Sequence, residues 1–83
     1  MIFGLFKSKQ IQFLEAVEDK NTNEVKSLIG HSKVDVNFKD DNEQTPLHTA
    51  ASEGCVDICN LLIEHGANVN IKNKRGETPL HEA

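Results

Sequence analysis

Apolar residues recur along this chain in short stripes that have the spacing of amphipathic helices, and polar runs separate the stripes. Leu47, Ala50 and Ala51 form one stripe, whose small side chains would let another helix approach closely. A second stripe predicts a helix from about Cys55 to His65. Its apolar residues are Ile58, Cys59, Leu61 and Leu62. Neither helix is long enough to be stable alone in water, so the pair must bury its apolar side against neighbouring helices.

Capping residues predict where these two helices begin and end. Thr45 is a good N-cap, because its hydroxyl can accept a hydrogen bond from a free N–H of the first turn. Pro46 then occupies the first helical position, where a missing N–H costs nothing. Gly54 ends the first helix and Gly66 ends the second, since glycine enters the left-handed region cheaply. Residues 67–71 then lead outward into an extended loop.

The sequence repeats itself with a period of 33 residues. The run Thr-Pro-Leu-His-Thr-Ala at 45–50 returns as Thr-Pro-Leu-His-Glu-Ala at 78–83. Other pairs at this offset are Val36 and Val69, Asn37 and Asn70, Val25 and Ile58, Leu14 and Leu47, and Val17 and Ala50. We therefore predict a single domain over residues 1–83. It has a divergent N-terminal capping unit at 1–38, a complete unit at 39–71 and the start of a third unit at 72–83.

Residues 40–83 resemble ankyrin repeats in their period, their Thr-Pro-Leu-His-x-Ala run and their two helix-stop glycines. Residues 11–38 resemble a divergent first repeat. The resemblance implies an all-α solenoid of helix-turn-helix units with extended hairpin loops. It also implies that the chain binds another protein through its loop tips and the concave face of its inner helices, without enzymatic activity and without a cofactor.

The first unit and its loop depart from the family pattern. Asn21 and Lys33 take the places of the two glycines, although Asn21 can still cap the second helix with the help of Glu24. Glu43 stands one period before Gly76, where the family has glycine, and this leaves the turn geometry of the first loop open. A terminal repeat has one face in water, which accounts for its divergence.

The N-terminal segment 1–6 is apolar but short. A helical lead-in that covers the first unit is predicted by apolar residues near helical spacing, which are Phe3, Phe6, Phe13 and Val17. The alternative is a weak membrane-surface anchor, although one short apolar stretch binds bilayers poorly. The segment fits neither a signal peptide nor a membrane span.

Charge and cysteine usage narrow the function. The chain has 83 residues and a net charge of -4, and this balance argues against a nucleic-acid phosphate binder. Cys55 and Cys59 are poorly spaced for a disulfide within one helix, which indicates reduced thiols in a cytoplasmic protein. There is no Cys-x-x-Cys pair and no His-x-x-x-His pair, so the sequence favours neither a structural zinc site nor any other metal site.

Two pairs of residues invite a chemical interpretation. His48 and His81 share one phase of the repeat, and no carboxylate or nucleophile is fixed beside them by spacing. The resemblance implies that such a histidine bonds the cap threonine and nearby backbone and so ties adjacent units together. Asn37 and Asn70 follow valine in the outward loops. They either stabilise the turns through side-chain-to-backbone bonds or, as in ankyrin proteins of animals, accept hydroxylation.

The two loop tips carry opposite charge. Residues 39–44 contain three acids and one base, and residues 72–77 contain three bases and one acid. We predict that a partner docks against both tips and the polar side of the first helices, since complementary charge favours orientation and association rate. The alternative is that these charges only keep the tips soluble and pair with one another. The candidate contact residues are Asp40, Asp41, Asn42, Glu43, Gln44, Thr49, Ser52, Glu53, Lys72, Asn73, Lys74, Arg75, Glu77 and Glu82.

The sequence stops soon after Thr78, within a predicted first helix, and at least about three repeats are usually needed for stability. We therefore expect a fragment of a longer protein. A homodimer through the uncapped C-terminal end, or a partner bound there, is the alternative. A small stoichiometric inhibitor of the immunity type is a further alternative for the function.

Overall fold

The computed structural model describes residues 8–31 and 33–79, and within them the only regular elements are α-helices. The first pair consists of α1, Lys9–Glu18, and α2, Thr22–His31. The second pair consists of α3, Pro46–Ser52, and α4, Val56–Glu64. Helix α1 packs on α3, and α2 packs on α4. We call α1 and α3 the inner helices and α2 and α4 the outer helices. This arrangement confirms the predicted all-α solenoid.

The caps of the second pair confirm the predicted helix bounds. Thr45 is the N-cap of α3, and its side chain accepts a hydrogen bond from the His48 N–H. Pro46 occupies the first helical position. Gly54 and Gly66 adopt φ angles of 70° and 94°, as expected for residues that end helices in the left-handed region.

The first pair follows a different register from the one predicted. Its left-handed turn residue is Lys20, with φ of 59°, and not Asn21. Asn21 instead precedes α2 and accepts a hydrogen bond from the Glu24 N–H at 3.2 Å, which is its predicted capping role. The prediction that Asn21 replaces the first glycine is therefore wrong.

Backbone hydrogen bonds show where the two registers diverge. The Asn21 N–H donates to the Ala16 carbonyl in the first pair, and the Cys55 N–H donates to the Ala50 carbonyl in the second. Corresponding residues at this turn therefore lie 34 apart (50 − 16 = 34). Phe13, and not Leu14, accordingly matches Leu47. The offset returns to 33 only in the loops, because the first unit holds one extra residue between its turn and its loop. Spacing alone could not place that insertion.

The core lies between the two helix pairs. Its ten buried apolar residues are Phe13, Ala16, Val17, Val25, Leu28, Ile29, Leu47, Ala50, Ile58 and Leu62. Leu61 is half-buried and packs against them. Leu47 and Leu62 thus join one core, as predicted, whereas Leu80 lies outside the described residues, like Phe3 and Phe6 of the predicted lead-in. Phe13 is fully buried, so the first unit contributes a large aromatic group to this core.

Candidate protein-binding surface

The first finger, residues 39–44, closes with a tight turn. The Glu43 N–H donates to the Asp40 carbonyl at 2.9 Å, and the Asp40 N–H donates to the Gln44 carbonyl at 3.0 Å. The Asp40 side chain braces the turn from inside, since its Oδ1 accepts from the N–H groups of Asn42 at 2.8 Å and Gln44 at 2.9 Å.

The second finger, residues 72–77, repeats this geometry. The Gly76 N–H donates to the Asn73 carbonyl at 2.9 Å, and the Asn73 N–H donates to the Glu77 carbonyl at 2.9 Å. Asn73 Oδ1 accepts from the N–H groups of Arg75 at 2.9 Å and Glu77 at 3.0 Å. An amide oxygen therefore serves here as the carboxylate oxygen does in the first finger, so the bracing role requires no charge.

The two fingers differ at the turn residue. Gly76 has φ of 77° and Glu43 has φ of 60°. The turn geometry of the first loop, which the sequence left open, is therefore the same as in the second, because Glu43 adopts the left-handed conformation of Gly76. That conformation costs a residue with a Cβ about 1–2 kcal/mol. The acidic side chain is thus held at the tip against a backbone preference.

The fingers are joined to each other. Asn73 Nδ2 donates to Gln44 Oε1 at 2.7 Å, and the Lys74 N–H donates to the Asn42 carbonyl at 3.0 Å. Asn73 is only 6% exposed as a result. Asn73 and Gln44, two of the predicted contact residues, therefore have side chains that brace the fingers.

Most of the predicted contact residues lie at the surface. The exposed ones are Asp40, Asp41, Asn42, Glu43, Ser52, Glu53, Lys72, Lys74 and Arg75. Gln44, Thr49 and Glu77 are half-buried, and Glu82 lies outside the described residues. Whether these residues touch a partner stays a prediction.

The finger charges do not neutralise each other across the gap. Arg75 Nε lies 3.3 Å from Glu77 Oε1, within its own finger. Among the residues described, no ion pair joins the first finger to the second. Acidic and basic groups thus stand side by side at the surface, as the sequence pattern predicted.

His48 links α3 to the second finger. The Thr45 N–H donates to Nδ1 at 3.1 Å, so Nδ1 carries the lone pair and the ring is the neutral Nε2–H tautomer. Nε2 then donates to the Glu77 carbonyl at 2.7 Å, across the boundary between units. The structural role implied for this histidine is confirmed, and its predicted counterpart His81 lies outside the described residues.

Asn37 makes a second link between units. Its Nδ2 donates to the Gly66 carbonyl at 3.2 Å, and its Oδ1 accepts from the Asn68 N–H at 2.7 Å. The predicted side-chain-to-backbone bonds are therefore present, but they reach the exit of the next unit instead of bracing the turn of Asn37. Asn70 is exposed, and its own N–H donates to Asn68 Oδ1 at 2.8 Å.

Sequence reasoning missed an inner slot of about 80 Å³ between α1, α3 and the first finger. We define the inner slot by its lining residues, which are Leu14, Val17, Glu18, Phe38, Asp40, Gln44, Thr45, Pro46 and Thr49. Phe38 remains 38% exposed beside it. An aromatic residue next to a charged loop tip was the available signal, since aromatic residues are enriched at protein interfaces.

A second depression of about 300 Å³ is almost wholly apolar. We call it the apolar face, and its lining residues are Leu47, Ala51, Gly54, Val56, Cys59, Ile63, Val69 and Pro79. Val56 is 68% exposed and Ile63 is 48% exposed. An apolar depression with such exposed side chains is typical of a surface that another element covers.

The two cysteines are free thiols, both half-buried. Burial raises the pKa of the Cys59 thiol, and the neighbouring Cys55 adds to the effect. Across residues 8–31 and 33–79, no cluster of histidine, cysteine, aspartate and glutamate is arranged to bind a metal ion. None of the helices in this same part of the chain has the length and apolarity needed to cross a membrane.

Comparison with known families agrees with this architecture. A profile of ankyrin repeats in three copies matches residues 13–83. The chain therefore belongs to the ankyrin-repeat family, whose repeats generally mediate protein–protein interaction.

Individual relatives share about half of their aligned residues with the chain. It is 51% identical over 49 residues to human BCL-6 corepressor-like protein 1, an alignment that covers 59% of the chain and 3% of that protein. It is 50% identical over 46 residues to palmitoyltransferase akr1 of Schizosaccharomyces pombe, covering 55% of the chain and 7% of the relative. It is 48% identical over 46 residues to alpha-latrocrustotoxin-Lt1a of Latrodectus tredecimguttatus, covering 55% of the chain and 3% of the toxin. The chain thus spans a small part of each of these proteins.

Proposed function

We propose that this chain is a non-enzymatic protein-interaction module whose partner lies against both fingers and the concave side of α1 and α3. The supporting observation is the clamp between the fingers, in which Asn73 Nδ2 donates to Gln44 Oε1 at 2.7 Å. A clamped surface loses little conformational entropy when a partner binds, so more of the contact energy appears as affinity.

The charge arrangement favours a protein with a two-sided electrostatic pattern. A basic patch on the partner would face Asp40, Asp41 and Glu43. An acidic patch would face Lys72, Lys74 and Arg75. Nucleic acid is disfavoured, because the overall charge is -4 and the basic finger stands beside an acidic one. The proposal includes a cytoplasmic location, which the two free thiols favour.

Site-specific photo-crosslinking tests the location of the partner. A photoreactive residue would be introduced in the full chain at Asp41 or Ser52 on the proposed surface, or at Asn60 or Glu64 on α4 as controls. All four positions are exposed. In the source cell, we expect Asp41 and Ser52 to yield the same protein adduct and the two α4 positions to yield none of it. An equal adduct from α4, or no adduct from the fingers, would contradict the proposal.

Charge reversal tests the electrostatic part. Lys74→Glu with Arg75→Glu should lower the association rate of the cross-linked partner about tenfold at low salt, with the difference shrinking as salt rises. Lys26→Glu with Lys33→Glu makes the same charge change at exposed positions in the first unit, away from the second finger. Equal rates for the finger variant and the unmodified chain would support the view that these charges only aid solubility.

The apolar face supports a second candidate function, self-association of two chains through Val56 and Ile63. Sedimentation equilibrium over a hundredfold concentration range would show a mass rising from monomer to dimer. Ile63→Glu should abolish that rise, and Ile11→Glu, an exposed apolar position on α1, should not. A constant monomer mass would rule out the dimer.

A further inference from the structure

The inner slot has the size of one aliphatic side chain. Its volume is about 80 Å³, whereas cavities that bind a benzene ring measure about 150 Å³. Val17 and Pro46 are buried among its lining residues and Leu14 is half-buried, so apolar atoms form its base. A branched aliphatic group fits such a space.

The charged groups that line the inner slot are both acidic. Glu18 and Asp40 are exposed, and no ion pair involves either of them in the part of the chain that the structure describes. Glu18 is the last residue of α1, and no basic residue occupies the last turn of that helix. A carboxylate at a helix C-terminus is disfavoured by the helix dipole, so a cation placed there would be stabilising.

Phe38 adds a third feature. It is 38% exposed and lines the same slot as the two acids. The face of an aromatic ring attracts lysine and arginine side chains, and arginine pairs well with carboxylates. The slot therefore combines an apolar base with three groups that attract a cation.

We propose that the inner slot binds a partner segment in which an aliphatic residue stands next to an arginine or lysine. The aliphatic side chain enters against Leu14 and Pro46, and the cation lies between Glu18 and Asp40 beside Phe38. This inference rests on the proposed function, because it names the kind of partner that the concave surface accepts.

The test begins with a phage-displayed library of 12-residue random peptides selected on the full chain. Enriched peptides are then synthesised with a fluorescent label, and their affinity is measured by anisotropy at low and high salt. We expect an aliphatic residue next to arginine or lysine to recur among them. No enrichment, or a shared motif without this pair, would overturn the inference.

Variants of the chain then test the site. Glu18→Gln with Asp40→Asn removes both charges and preserves the finger, because Asn73 makes the same two backbone bonds in the second finger. We expect roughly tenfold weaker binding and a weaker salt dependence. Glu24→Gln with Glu64→Gln makes an equal charge change on the outer helices and should bind like the unmodified chain. Equal losses for the two double variants would contradict the site.

Two further variants test its shape. Phe38→Ala should weaken the same peptides about tenfold, because it removes one wall of the slot. Thr49→Lys places a long cationic side chain at the slot and should also weaken binding. If cross-linking from Asp41 and Ser52 succeeds while these variants bind normally, the partner uses the concave surface without the inner slot, and only this inference fails.

Discussion

The two fingers adopt the same type of backbone turn but form it from different residues. Asp40 and Glu43 build it in the first finger, and Asn73 and Gly76 build it in the second. One finger is acidic and the other is basic, yet both show the same paired bonds to the bracing side chain. Backbone shape and surface charge are therefore set separately in this protein.

The difference also shows where each finger depends on its neighbours. Asn73 is buried and reaches Gln44 in the first finger, whereas Asp40 is exposed and its Oδ1 braces only its own turn. The bracing side chain of the second finger thus also contacts the neighbouring finger, whereas that of the first finger does not.

Removing the bracing side chain of each finger should give the largest difference in stability between the two fingers. We expect Asn73→Ala to lower the free energy of unfolding by about 2–3 kcal/mol, because it removes several hydrogen bonds of a buried side chain and leaves the half-buried Gln44 and Glu77 without these partners. Asp40→Ala should cost about 1 kcal/mol, since water can replace an exposed oxygen. Urea unfolding followed by circular dichroism measures both. Equal losses would show that the link to Gln44 contributes little.

Gly76→Ala tests the turn of the second finger. The added Cβ would meet no atom within 4 Å, so its cost reflects the φ of 77° alone. We expect a loss of about 1–2 kcal/mol in the free energy of unfolding. Gly30→Ala is the matched control, because Gly30 lies in α2 with equal space and no positive φ. It should gain up to about 1 kcal/mol, and a loss at Gly30 similar to that at Gly76 would contradict the backbone explanation.

Glu43→Gly makes the first finger resemble the second. We expect the free energy of unfolding to rise by about 0.5–1 kcal/mol, because glycine adopts a φ of 60° without strain. Asp41→Gly, two residues earlier in the same turn and without a positive φ, should not stabilise the chain. Thermal unfolding compares the two. A gain together with weaker partner binding would show that Glu43 is kept for its charge.

The smallest effect should come from Asp40→Asn. Since Asn73 fills the same role with an amide, we expect the free energy of unfolding to change by less than about 0.5 kcal/mol. Urea unfolding alongside Asp40→Ala measures the difference. A loss as large as that of Asp40→Ala would mean that the first finger needs the carboxylate charge.

Most of the fold could be predicted because its signals are local. Thr45 and Pro46 start a helix through their own hydroxyl and ring, and Gly54 and Gly66 end helices through their own backbone freedom. The first unit lacks such signals at its turn, so the register predicted for that turn was wrong. Lys20 is left-handed in a turn where its N–H donates to the Val17 carbonyl and the Asn21 N–H donates to the Ala16 carbonyl, and lysine is not a residue type that predicts this conformation.

The candidate surface likewise has features that the sequence predicts and features that depend on packing. The opposite charges of the fingers follow from residue identity, and the exposed positions agree with that pattern. The clamp between Asn73 and Gln44 joins residues 29 apart and depends on how units stack. Phe38 and Glu18 come together at the inner slot for the same reason.

The sequence by itself determined the repeat, the helix pairs and the sign of charge on each finger, because each depends on residues close together in the chain. The tertiary structure decided that His48 and Asn37 bridge units and that Asn73 faces inward. It also decided that α1, α3 and the first finger enclose a slot. These features depend on side chains of different units meeting, and their distances follow only from the packing of one helix pair on the next.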